Sequence, residues 1–155
     1  MPARPCAVAG VVVVASALLL SGCAAPPEVD QEAAQAWMDE TIARADGRSD
    51  ILGTFAGSTT TADGGTTLTF DVPVDLTGVE LSCFGGGSAS FGITTTAVGS
   101  STGWQTEVDC TDEPHLIEVG LDGADTLTGV TSTTATATRS DPATTYVVTI
   151  LGTQP

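Results

Sequence analysis

The chain has 155 residues, 41% hydrophobic and only 5% aromatic, which suits one modest domain with a small core rather than two domains. Its 19 acids stand against four arginines and no lysine, a formal charge of −15. A field of that sign excludes nucleic-acid binding and opposes docking on anionic lipid, because both need cationic side chains. The plain reading of the acids is a solvated, mutually repelling surface.

At the N-terminus, Arg4 supplies a short positive region and Ala7 to Leu20 an apolar run broken only by Gly10 and Ser16. The run is shorter than the roughly 20 residues needed to cross a hydrocarbon core, so it has the proportions of a signal peptide. It ends in Leu20-Ser21-Gly22-Cys23, which resembles the lipobox of bacterial lipoproteins. That resemblance implies removal of residues 1–22, diacylglyceryl transfer to the Cys23 thiol and acylation of the new amino group, typically by palmitate. The remainder would then be held by lipid at the extracytoplasmic face of the cell membrane. Several acyl chains anchor stably where one would be marginal.

Residues 23–29 form a linker in which Pro26-Pro27 favours extended backbone. Residues 30–46 carry acids at the start, good helix formers after them, and Asp46-Gly47 as a left-handed stop, and so predict one helix. Its apolar positions, Trp37, Met38, Ile42 and Ala45 among them, fall at three- and four-residue spacings and predict a stripe lying on the domain.

From Ile51 the texture changes to threonine, valine and glycine with period-two alternation. Strands are expected at 51–58, 66–72, 79–84, 88–96, 104–109, 116–121, 126–138 and 145–151. Between them lie the turn-forming Asp63-Gly64-Gly65, Asp75-Leu76-Thr77-Gly78, Gly85-Gly86-Gly87, Gly99 to Gly103, Asp112-Glu113-Pro114, Asp122-Gly123 and Asp141-Pro142. About eight short strands with no helices between them predict an antiparallel β-sandwich, jelly-roll or immunoglobulin-like, over residues 51–155. Leu68-Phe70-Val72, Val79-Leu81-Cys83, Ile117-Val119-Leu121 and Tyr146-Val148-Ile150, each skipping one residue, give the inward face; Thr134, Thr136 and Thr138 face out, opposite in phase to Ala135 and Ala137.

Of four cysteines, Cys6 falls in the signal segment and Cys23 in the lipobox, leaving Cys83 and Cys110 to pair in an exported domain. Each lies at the inward phase of its strand, and the sequence leaves open whether the bond stays within one sheet or joins two. Leu81-Ser82-Cys83-Phe84-Gly85-Gly86-Gly87-Ser88, with a second cysteine a hairpin later, resembles the C-terminal half of small actinobacterial lipoproteins of unknown function. The resemblance covers about residues 79–151 and implies fold and location, with no catalytic residues.

Material for chemistry is thin. His115, the single histidine, could serve a hydrolase only with Ser82 or Ser90 and an acid such as Asp112, and no Gly-x-Ser-x-Gly elbow is present to aim the serine. Cys110 to His115 mixes zinc-ligand types without zinc spacing, and Asp46 to Asp50 and Asp122 to Asp125 resemble calcium loops in composition alone. Glu80, Glu107 and Glu118 could pair for glycoside hydrolysis, but few aromatics exist to stack a sugar. Gly85 to Gly87 lacks the lysine of a phosphate cradle. Trp104 is the aromatic that could make a binding contact, set against packing in the core. No cofactor and no metal is expected. The expected function is a membrane-anchored, non-enzymatic envelope module that binds a protein or small ligand; a small hydrolase using His115 and a purely structural acidic surface protein are the alternatives.

Overall fold

The computed structural model describes residues 30–59, 65–111, 113–118, 126–138 and 144–154. The expected signal segment, Cys23 and its linker, Asp112 and the Asp122 to Asp125 loop therefore lie outside the described residues.

The chain opens with helix α1, Gln31–Ala45. Asp30 caps it, its carboxylate accepting from the amides of Glu32 and Ala33 at 3.0 and 3.1 Å, which satisfies donors that a helix start leaves open. Gly47, at φ 84°, turns the chain back toward the sheet. The stripe read from spacing is the packed one: Ala34 is buried, and Trp37, Met38, Thr41, Ile42 and Ala45 are partly buried along the same side.

Seven strands follow among the described residues: β1 (Ile51–Ser58), β2 (Thr66–Phe84), β3 (Ser88–Ala97), β4 (Ser100–Asp109), β5 (His115–Glu118), β6 (Leu127–Thr138) and β7 (Thr145–Thr153). All pairings are antiparallel, in the order β1-β7-β2-β6-β3-β4, with β5 on β2. The mainly β, sandwich-like fold behind one helix is the expected one.

Two expectations about the strands are corrected. The segments 66–72 and 79–84 are one strand, and Asp75-Leu76-Thr77-Gly78 is no turn. Val74 and Leu76 are fully buried, and Leu76 faces both Leu127 of β6 and Gly152 of β7, so burial holds the segment extended against its local turn preference. The strand bends rather than breaks. Pro73, which has no N–H to donate, lies in the interval between Thr69 and Val74 where pairing to β6 shifts register. Through this bend the first half of β2 pairs β6, and the second half pairs β7 and β5. The sheet thus folds over itself: Phe91 on β3 meets Tyr146 on β7 edge to face, ring centroids 5.8 Å apart. The second correction concerns 99–103, which is not a loop; Val98-Gly99 suffices as the turn and β4 begins at Ser100.

The core lies between the two layers, with Val79, Leu81, Cys83, Phe91, Ile93, Val130, Ala135, Val148 and Ile150 at its centre. The β6 threonines do as expected: Thr136 donates to the Gly92 carbonyl at 3.1 Å, and Thr134 shares a 2.8 Å hydroxyl contact with Thr67. Strand β7 is buried from Thr145 through Gly152 on both faces, because the core covers one and α1 lies over the other. Trp37 stacks on Phe84 at 5.7 Å and fixes the helix there.

The expected disulfide is formed between Cys83 and Cys110. Cys83 belongs to the half of β2 that pairs β7, whereas Cys110 follows β4, so the bond ties the two halves of the folded sheet beside the Gly85 to Gly87 turn.

Candidate functional site

On β2 the residues pointing away from the core are Glu80, Ser82 and Phe84, alternating with the inward Val79, Leu81 and Cys83. Helix α1 runs over this face in the opposite direction. Trp37 covers Phe84, and the chain beyond the helix returns to place Arg48 on Glu80. Between those two anchors the contact changes from apolar to polar and leaves a pocket of about 170 Å³. Thr41, Arg44 and Ala45 form its roof; Ser82 and Thr149 form its floor; Pro114, just before β5, closes one side.

Arg48 defines the far wall. Its Nε and Nη2 donate to the two carboxylate oxygens of Asp50 at 3.1 and 2.7 Å, while Nη1 donates to both oxygens of Glu80 at 3.1 and 3.0 Å. The planar fork of donors matches a carboxylate in this way, where an ammonium could not. The hydrogen bond from Arg48 holds Asp50 below the usual aspartate range, and the bonds to Asp50 and then Glu80 push the guanidinium pKa up. With side chains 23 to 52% exposed, these pairs are screened by water and orient the wall more than they stabilise the fold.

Arg44 is different. It donates to the Thr41 hydroxyl at 3.1 Å and forms no ion pair among the described residues. Ser82 and Thr149, 7 and 4% exposed, have side-chain hydroxyls that bond to no protein group among the described residues. The pocket therefore holds unused donors on two sides.

The residues singled out in the sequence are dispersed. His115 is exposed at the start of β5 and lies opposite Leu81, which puts it on the other face of the sheet from Ser82. It lines a second depression, about 320 Å³, with Glu107, Asp109 and Glu113 and without a described serine. Ser90 lies on β3 opposite Glu107, and neither Ser82 nor Ser90 lines the depression that holds His115. Cys110 is committed to the disulfide, so the cluster ending at His115 has no thiolate to offer zinc, and no group of three or more metal-ligating side chains exists among the described residues. Glu80 is held by Arg48, Glu107 accepts from Ser88 at 2.6 Å on another strand, and Glu118 is exposed on β5; Glu80 and Glu107 line different pockets and Glu118 lines neither. Asp46 to Asp50 is a turn whose last carboxylate is occupied by Arg48. Trp104 on β4 is partly buried against the core, opposite Ile93.

Glu80 and Ser82 stand out in the sequence for other chemistry, and nothing in it places them together under a helix. Their two-residue spacing signalled a polar stripe on β2; that a helix would cover the stripe was not written in it. The fold and site together define a helix-capped antiparallel sandwich with a small polar cleft under the end of its helix. No protein-family model matches this chain, and no curated protein matches it. No helix among the described residues is long and apolar enough to cross a membrane.

Proposed function

We propose that this chain is an exported lipoprotein, anchored through acyl chains on Cys23 at the extracytoplasmic face of the cell membrane, whose domain is a non-enzymatic binding or accessory module of the envelope. The observation that carries the reading is Leu20-Ser21-Gly22-Cys23 at the end of an apolar run preceded by Arg4. Support comes from the Cys83–Cys110 disulfide, since such bonds persist in oxidising compartments. The placement of His115 and Ser82 on opposite faces of the sheet, in different pockets, favours binding over hydrolysis.

Labelling intact cells with a palmitate analogue tests it. The wild-type chain takes up label and sediments with membranes, and Cys23→Ala takes up none. A wild-type chain that incorporates no label overturns the anchor. Crosslinking and capture from intact cells, with the tether native, tests the binding role separately.

A further inference from the structure

We infer that the pocket beneath the end of α1 binds a small organic monocarboxylate, with Arg44 as the charge partner and Ser82 and Thr149 as hydroxyl donors. The inference rests on reading the domain as a binding module and names the ligand class; it does not depend on the lipid.

Three features converge. Arg44 and Arg48 are the only Lys or Arg side chains among the described residues of a strongly acidic chain, and both line this pocket. Arg48 is saturated by Asp50 and Glu80, whereas Arg44 has no carboxylate partner among the described residues. Opposite it, Ser82 and Thr149 are more than nine-tenths buried, line the pocket, and have hydroxyls with no protein partner among the described residues, which leaves their hydrogen bonds to water or a ligand.

The donor set selects the charge. One guanidinium with no carboxylate partner among the described residues and two neutral hydroxyls balance a single negative charge. A dianion such as phosphate would set its second charge against Glu80 in a chain of formal charge −15. A volume of about 170 Å³ suits a compact group, such as the carboxyl end of a peptide or the acid of a sugar. Arg44 stands on an exposed helix face, so its substitution leaves the fold in place.

Titration calorimetry on the full chain in detergent tests this with four probes: N-acetylalanine for the peptide terminus, glucuronate for the sugar acid, N-acetylalaninamide as the uncharged control, and inorganic phosphate. Saturable one-to-one binding of either carboxylate is expected, and the tighter of the two identifies the source. The amide should give no binding. Arg44→Gln should weaken carboxylate binding about tenfold or more, the scale of a lost charged hydrogen bond, and Arg44→Lys should restore part of it. No binding of either carboxylate, tighter binding of phosphate, or unchanged affinity in Arg44→Gln overturns the inference. Those results leave the partner capture from cells to judge the binding module as a whole.

Discussion

Opening the Cys83–Cys110 bond should cost this domain a large part of its stability. The cysteines are 27 residues apart, and in the chain-entropy description a loop of that length constrains the unfolded chain by about 3.5 kcal/mol at 25 °C. Small domains have only about 5–15 kcal/mol in total. For a chain of this size the loss corresponds to a fall in Tm of roughly 10–15 °C. Differential scanning calorimetry of the same protein, oxidised and reduced, isolates the bond from any change in packing. Cys83→Ala/Cys110→Ala should melt near the reduced protein, slightly lower because Cys83 is 1% exposed and its sulfur fills core volume. A reduced protein melting within about 3 °C of the oxidised one would refute the reasoning, since the loop would then confer almost none of its entropic effect.

Other consequences follow from single groups. Thr133 is fully buried on β6 with no hydrogen-bond partner for its hydroxyl, so Thr133→Val, which keeps the shape, should stabilise by about 1 kcal/mol in urea unfolding; destabilisation would mean the hydroxyl has a partner. A side chain at Gly152 would collide with the Asp75 carbonyl and Leu52, so Gly152→Ala should destabilise by roughly 2 kcal/mol or more, read from the same unfolding midpoint. Because Arg48 holds Asp50 below its ordinary 3.8, the folded form keeps that carboxylate charged where the unfolded chain has begun to protonate. Its contribution is complete above 3.8 and lost as pH falls through the lower folded value, so the gap in urea midpoint between wild type and Asp50→Asn should shrink below pH 3.8. A gap that widens on acidification would reverse the assignment.

Much of the architecture was legible because burial imposes simple periods. Val79-Leu81-Cys83 and Tyr146-Val148-Ile150 show the two-residue alternation of strands with one face in a core, and Trp37, Met38 and Ile42 show the stripe of a docked helix. Asp75 to Gly78 misled for a physical reason: its residue types favour a turn, but Val74 and Leu76 sit where both layers need a buried strand, and tertiary burial outweighs a local preference. Val147, Thr145 and Thr149 are buried on the second face of β7 because the helix lies there, a long-range fact that alternation along one strand does not encode. The pocket was illegible on the same ground. Arg44 and Arg48 lie far along the chain from Ser82 and farther still from Thr149, and the four meet when α1 docks with Trp37 on Phe84.

The central claim is that the chain is processed and acylated at Cys23, and intact-mass spectrometry of protein isolated from its native membrane addresses it in one measurement. The mass should equal a chain beginning at Cys23, less two hydrogens for the Cys83–Cys110 bond, with a diacylglyceryl group in place of the Cys23 thiol hydrogen and an acyl group in place of one hydrogen of its amino group. An unmodified polypeptide beginning at Met1 would contradict the account.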